Sequence, residues 1–491
     1  MQAWVRGAFG ALMMLLVVAS AITGADQVTS APTAVQAASG SVLTGPPESR
    51  PNIVFVMADD MRDDDIRWMP HTRELLAERG MDLTDAISPH PLCCPARAQL
   101  LTGQYAQNNG VQHNAGPFGG FQALDPAQEI SAWFKRAGYQ TGFIGKFLNG
   151  YSADDVRPAG WNRWDPLSAG VYDYFDFAFE NDGDPEIFRD SYVTAVIAAR
   201  TNDTVREFAR SDEPFLVYSW HLGPHYRITP RGRAVPPPAA PEDKGTYADE
   251  LPPSFETGSF NEPDVLDQPR PFRLRRLADE ADVVTEHRAR LRSLQSVDRA
   301  VASLVETLRS TGELNDTVIV FTSDNGYSLG EHRFLGKNVL TREVLDVPLL
   351  VRGPGVEHGT SDLPVTLVDV PATLTSLAGV QPGWQLDGSS FVPSLHGQDQ
   401  PFRDTTLVQT GDDGGDGWAY RGVRTDRYLY GVNGSDGFLY DDLLDPAQQV
   451  NRYDDPAYYE IRARLEQRRR ALLSCQGEAC NRTFGLLPDP T

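Results

Sequence analysis

Four short apolar runs constrain this chain more than any other feature. They are Asn52-Ile53-Val54-Phe55-Val56-Met57, Tyr139-Gln140-Thr141-Gly142-Phe143-Ile144, Pro214-Phe215-Leu216-Val217-Tyr218-Ser219-Trp220 and Thr317-Val318-Ile319-Val320-Phe321-Thr322. Such runs, rich in β-branched and aromatic residues, mark strands buried on both faces, as in a mostly parallel sheet covered by helices. Helical patterns separate them: His71 to Gly80, Ser131 to Ala137 with Gly138 as its stop, and Asp279 to Arg309. The expected fold class is therefore α/β, a large, mostly parallel central sheet flanked by helices. From about Phe402 the pattern changes to short strands at Thr406-Gln409, Trp418-Arg424, Tyr428-Val432 and Phe438-Asp441, with a helix from Pro456 to Leu473. That reads as a smaller C-terminal antiparallel sheet plus helix, giving a main α/β domain over 51–401 and a subdomain over 402–491.

Each apolar run ends in polar residues: Ala58-Asp59-Asp60, Gly145-Lys146, His221-Leu222-Gly223-Pro224-His225 and Ser323-Asp324-Asn325-Gly326. In open α/β sheets ligands bind at that edge. Two carboxylates at the end of a buried strand are costly unless a cation pairs with them. Asp59, Asp60, Asp324 and Asn325 together make an oxygen-rich set that suits Ca²⁺ or Mg²⁺ better than Zn²⁺. The plain alternative for Asp324-Asn325-Gly326 is a turn. Asp63-Asp64-Asp65 reads as a solvated turn.

Composition narrows the partners. The net charge of -23 argues against nucleic-acid binding and against adsorption to anionic membrane. Lys and Arg total 44, yet lysine occurs only at Lys135, Lys146, Lys244 and Lys337. An ammonium is a compact point charge, unlike the planar guanidinium fork. Lys146 and Lys337 both lie in polar segments that follow or adjoin the strand ends.

The most unusual stretch is Cys93-Cys94-Pro95-Ala96-Arg97-Ala98-Gln99-Leu100-Leu101-Thr102-Gly103. Adjacent cysteines resist bonding to each other. Pro95 suits the first turn of a helix, so Cys93 falls at a helix N-terminus with Arg97 one turn on, where a thiol or an anion is favoured. A pair of small buried cysteines capping the helix is the bland reading.

This stretch resembles the signature of the type I sulfatases of the alkaline phosphatase superfamily, Cys-x-Pro-(Ser/Ala)-Arg-x-x-x-Leu-Thr-Gly. Cys94 at the variable position resembles the branch of the N-acetylglucosamine-6-sulfatases and heparan endosulfatases. Phe143-Ile144-Gly145-Lys146, Pro224-His225, Gly330-Glu331-His332 and Gly336-Lys337 resemble further family segments, in the family's order. Leu148-Asn149 stands where many arylsulfatases have a histidine two residues after the lysine.

The resemblance implies an alkaline-phosphatase-like fold and hydrolysis of a sulfate monoester, with a 6-O-sulfated amino sugar or related carbohydrate as substrate. It implies that Cys93 is converted to 3-oxoalanine (formylglycine) by a formylglycine-generating enzyme and that the aldehyde hydrate is the nucleophile. Arg97 would fix and polarise residue 93. Lys146, His225 and Lys337 would bind the sulfate. Asp59, Asp60, Asp324, Asn325 and residue 93 would hold a metal, usually Ca²⁺, with Mg²⁺ possible. His332 is expected behind the direct ligands or on the leaving-group side, and His221 as a structural or rim residue. The Pro-rich and acidic stretch from Ile228 to about Arg273 is expected to be a surface excursion shaping the substrate mouth. Two competing functions are a phosphate or phosphonate ester hydrolase of the same superfamily and an exported, non-catalytic sulfoglycan-binding protein.

At the N-terminus, Arg6 precedes an apolar run from Ala8 to Ala25 and a small-residue site at Val35-Gln36-Ala37. This reads as a signal peptide over 1–37 and a flexible linker over 38–50, with export to the periplasm, cell surface or medium and no stable membrane insertion. Export permits a disulfide, and Cys475 and Cys480 are expected to pair.

Overall fold

The strand Asn52–Ala58 (β1) is completely buried and alternates between two apolar layers. Ile53, Phe55 and Met57 enter one layer; Val54, Val56 and Ala58 enter the other. The computed structural model describes residues 50–491 apart from 128, 182, 183 and 413. The expected signal segment and all of the linker except Arg50 therefore lie outside the described residues.

The main sheet has ten strands. After β1 come Met81–Leu83 (β2), Gln140–Gly145 (β3), Arg163–Ala169 (β4), Asp176–Asn181 (β5), Asp184–Arg189 (β6), Phe215–Trp220 (β7), Thr317–Ser323 (β8), Leu349–Arg352 (β9) and Gly359–Ser361 (β10). Their spatial order is β10-β2-β9-β8-β1-β7-β3-β4-β5-β6. The five central strands, β8-β1-β7-β3-β4, are parallel, and these include all four runs expected from the sequence. The flanks mix in antiparallel pairs, β8 with β9 and β2 with β9 on one side, β4 with β5 and β5 with β6 on the other.

Helices cover both faces. Cys93–Thr102 (α2), Ile130–Arg136 (α3) and Asp369–Ala378 (α6) pack on the Phe55 face through Leu100, Leu101, Trp133, Phe134 and Leu374. Val193–Phe208 (α4) and Glu280–Thr311 (α5) pack on the Val54 face through Ile197, Val205, Leu294, Val297 and Val301. Asp279 caps α5 by accepting from the N–H groups of Ala281 and Asp282. The helix expected from His71 to Gly80 is shorter, Pro70–Leu75 (α1), followed by a 3-10 turn at Ala77–Arg79.

One further expectation is corrected. Asp63-Asp64-Asp65 is not a solvated turn: it forms a 3-10 helix in which Asp65 is buried and Asp64 pairs with Arg62 at 2.8 Å. The excursion after Ile228 is anchored to the C-terminal region. Gln268 is fully buried, and its amide donates to the carbonyls of Gln448 and Gln449.

Four antiparallel strands, Thr406–Gly411 (β11), Trp418–Arg424 (β12), Tyr428–Asn433 (β13) and Asp436–Asp441 (β14), form the smaller sheet. The helix Tyr459–Leu472 (α7) covers one face through Ile461, Leu465 and Leu472. Val408, Leu429, Phe438 and Tyr440 on the other face pack with Ile87, Leu340 and Leu345 of the main domain. Cys475 and Cys480 are disulfide-bonded. Arg403 locks this junction: it pairs with Asp369 of α6 in the buried interior and also donates to Thr406, Asn481 and the Pro364 carbonyl.

Removing one member of a buried pair leaves the other charge uncompensated, a loss of about 3–5 kcal/mol. Arg403→Ala is therefore expected to lower unfolding stability by that amount in a urea titration. A loss below about 1 kcal/mol would mean that the Thr366 and Ser389 donors already satisfy Asp369 without the guanidinium.

Candidate active site

The ends of β1, β3, β7 and β8 and the start of α2 meet at one buried point. β1 delivers Asp59 and Asp60, β8 delivers Asp324 and Asn325, and β3 delivers Lys146. Gly145 makes the last placement possible. Its φ is +112°, and a Cβ there would lie 1.9 Å from the Trp220 carbonyl oxygen. The loop after β7 brings His225, and Cys93 is the first residue of α2. Lys337 arrives from the segment after β8.

Cys93 Sγ lies 2.9 Å from Lys337 Nζ, 3.5 Å from Lys146 Nζ and 3.6 Å from Asp59 Oδ1. Lys146 also pairs with Asp59 Oδ2, and Lys337 with Asp60 Oδ1. The hydrogen bonds of Arg97 go to the carboxylates and a carbonyl around residue 93. Its guanidinium donates to Asp324 Oδ2 at 3.0 and 2.8 Å, lies 3.1 Å from Asp59 Oδ2, and donates to the Lys146 carbonyl at 2.6 Å. Arg97 thus clamps two carboxylates and the backbone of the lysine. Asp324 accepts the Asp60 N–H through Oδ1 at 3.0 Å, and Asn325 donates to Asp60 Oδ1 at 2.9 Å.

The electrostatics follow from burial opposed by neighbours. Burial disfavours the Asp59 carboxylate, but Lys146 and Arg97 outweigh it and hold Asp59 below the usual carboxylate range. Lys337 and Lys146 do the same for Asp60. Burial, with Asp59 beside it, pushes Asp324 up to about 6 and the Cys93 thiol up to about 12. Left as a thiol, residue 93 stays protonated at neutral pH under the protein's own charges. Burial, then Lys146 and Lys337, drive His225 well below its ordinary value, so it is neutral.

These residues fit a divalent cation. Ligand atoms of Asp59, Asp60, Cys93 and His225 all lie within 4.8 Å of one another. Asp60 Oδ2 and Asn325 Oδ1 are buried with no hydrogen-bond donor. The His225 Nδ1–H donates to the Tyr226 carbonyl at 2.8 Å, which turns the Nε2 lone pair toward Asp60 Oδ2, 3.7 Å away. Two lone-pair atoms facing each other without a proton between them call for a positive charge. Asp324 stands outside that tightest group, because the Asp60 N–H and Arg97 already take both of its oxygens.

The family model described as Sulfatase matches residues 51–380, more than half of the chain. The chain belongs to the sulfatase family. It is a sulfuric ester hydrolase. A second model, the C-terminal region of N-sulphoglucosamine sulphohydrolase, matches residues 330–474, from the Lys337 segment through α7. The sulfatase is 32% identical to the N-acetylglucosamine-6-sulfatase of Homo sapiens, over 73% of this chain and 67% of the relative. It is 29% identical to an arylsulfatase of Volvox carteri, over 89% and 77%. A solved structure in complex with its substrate D-glucosamine-2-N,6-O-disulfate superposes with a TM-score of 0.69 at 24% identity, covering 86% of this chain and 97% of that one.

Several residues around the site were not singled out from the sequence of this sulfatase. Arg290 of α5, fully buried, donates to the carbonyl of Asp60, whose φ of +67° is left-handed. The Tyr172 ring lies under Lys146 Nζ at 4.6 Å from its centroid. Asn114 accepts the Cys94 N–H at 2.8 Å. None sits at a strand end or in a periodic pattern; only Tyr226, directly after His225, was adjacent to a residue already chosen. His332 is held away from Cys93's immediate partners, its Nδ1 2.7 Å from Glu262 of the excursion. His221 is buried, which fits the structural alternative and not the rim, with Nε2 3.4 Å from Ser219 Oγ.

A ligand that binds only the folded state stabilises it by about 2.7 kcal/mol at a hundredfold excess over its Kd. Chelator-stripped sulfatase is therefore expected to gain several degrees in Tm on adding a divalent cation, and Asp60→Asn to lose that gain. An unchanged Tm in the parent protein would rule out a cation at Asp60.

Proposed function

We propose that this sulfatase removes sulfate from a 6-O-sulfated amino sugar or a closely related sulfated carbohydrate, with residue 93 as formylglycine and with Ca²⁺, in preference to Mg²⁺, on Asp59, Asp60, Asp324 and Asn325. The observation that carries this reading is the convergence of two ammonium groups, Lys146 and Lys337, on the side chain of residue 93. The N-acetylglucosamine-6-sulfatase relative and the glucosamine disulfate complex support the sugar.

A sulfate monoester resists hydrolysis because its anionic oxygens repel nucleophiles. When present, the formylglycine hydrate supplies the attacking hydroxyl and the ion supplies Lewis-acid charge to activate it. Lys146 and Lys337 bind the sulfate oxygens, because each reaches residue 93 as well as a carboxylate. His225, its Nδ1–H held by the Tyr226 carbonyl, lines the sulfate site and presents its Nε2 lone pair to the ion. Arg97 holds Asp59 and Asp324 together and fixes the Lys146 backbone. Charge balance supports the assignment. Asp59, Asp60 and Asp324 match Lys146, Lys337 and Arg97, so a divalent cation leaves an excess that a sulfate monoester and an ionised nucleophile neutralise. The N-terminal apolar run and the Cys475–Cys480 disulfide support action outside the cytoplasm. Among the described residues no helix is long and apolar enough to cross a membrane.

Mass spectrometry of the peptide containing residue 93, from protein made in its own host, is expected to show thiol-to-aldehyde conversion. Cys93→Ser is expected to cut sulfatase kcat by roughly 10³-fold or more. Full turnover by a protein whose residue 93 is still a thiol would sink the formylglycine assignment.

A further inference from the structure

Three side chains stand beside the reaction centre and take no part in the chemistry above: Asn149, Tyr172 and Tyr226. The Tyr172 ring carries Lys146 Nζ on its face and lies 4.7 Å from the His225 ring. Its hydroxyl donates to Asn149 Oδ1 at 2.7 Å. Asn149 is half-buried, and its backbone N–H donates to Cys94 Sγ at 3.2 Å. Both the backbone and the Oδ1 of Asn149 are thereby fixed, and its Nδ2 has no acceptor among the described residues. Tyr226 is half-buried, with its ring 4.0 Å from His225 and nearly parallel to Tyr172, at 10° and 6.3 Å. The Tyr226 hydroxyl makes no hydrogen bond among the described residues.

We propose that Asn149 and Tyr226 form the subsite for the pyranose ring of the leaving alcohol, with Tyr172 as the residue that positions Asn149. This rests on the carbohydrate reading above and specifies how the sugar is recognised. A pyranose has apolar C–H faces and a polar edge of hydroxyls. The half-buried Tyr226 side chain supplies an aromatic partner for the face. The unspent Asn149 amide donor and the Tyr226 hydroxyl suit the edge. A polar group oriented in advance discriminates strongly, because a substrate lacking its partner leaves it unpaired. Tyr172 has two duties: its ring holds the ammonium of Lys146, and its hydroxyl aims the Asn149 amide.

The test compares kcat/KM on 6-O-sulfo-N-acetylglucosamine with kcat/KM on 4-nitrophenyl sulfate, which has an aromatic face but no hydroxyl edge. The readout is the sugar-to-aryl ratio in metal-loaded, formylglycine-bearing protein. Asn149→Ala is expected to lower that ratio about tenfold, the equivalent of one lost hydrogen bond of roughly 1.4 kcal/mol. Tyr172→Phe keeps the ring under Lys146 and removes only the aiming hydroxyl. It is expected to lower the ratio severalfold, mainly through the KM of the sugar. If Asn149→Ala fails to fold, Tyr172→Phe alone decides. A parallel fall on both esters, or an unmoved ratio, would overturn the subsite. A parent enzyme that cleaves the aryl ester and ignores the sugar would overturn the carbohydrate reading itself, and the subsite with it.

Discussion

Everything near the reaction centre depends on keeping Asp59 and Asp60 ionised side by side with no access to water. Each buried carboxylate carries a desolvation penalty of several kcal/mol, and two together add repulsion. The fold answers from four directions. Lys146 arrives from β3, Lys337 from beyond β8, and Arg97 from one turn into α2. The backbone helps too, since the Asp60 N–H is given to Asp324 and its carbonyl to Arg290. The parallel order β8-β1-β7-β3 is what allows this, because it places four strand ends on one edge of the sheet.

That dependence also explains why lysine and arginine are not exchanged here. Arg97 makes several fixed contacts with two carboxylates and a carbonyl, a task for a planar fork. Lys146 and Lys337 each touch a carboxylate and residue 93, and a compact charge on a flexible stem can shift between them. In a chain with four lysines, two stand at this one point. The π face of Tyr172 gives Lys146 an additional resting place without adding a competing negative charge.

The central sheet was legible in the sequence because burial on both faces leaves an uninterrupted apolar run, and the run's end shows where polar chemistry begins. β1, β3, β7 and β8 were visible for that reason. Strands β4, β5 and β6 carry mixed residues such as Arg163, Asp176 and Glu186, and without an apolar run they read as loop. The cysteine stretch pointed to Cys93 and Arg97, yet not to the carboxylates that Arg97 holds. Sequence spacing shows that Arg97 is one turn from Cys93; it does not show that Arg97 donates to Asp324, far along the chain. Asp63-Asp64-Asp65 misled for the same reason. Three adjacent acids look solvated until Arg62 from the same turn pairs with Asp64 and Arg290 from α5 with Asp65, leaving Asp63 exposed.

The overall negative charge and the buried cationic centre act over different distances. At physiological salt the field of a surface charge fades within about 8 Å. A sulfate that has entered the site therefore responds to Lys146, Lys337 and the groups around residue 93, not to the charge of the whole molecule. A long polyanion differs, because its outlying sulfates remain near the acidic exterior while one of them is bound. The net charge of -23 thus opposes each additional sulfate held at the surface and leaves the first one unaffected. A centre buried this deeply in an acidic protein is suited to an ester presented at the end of a chain or on a single small molecule.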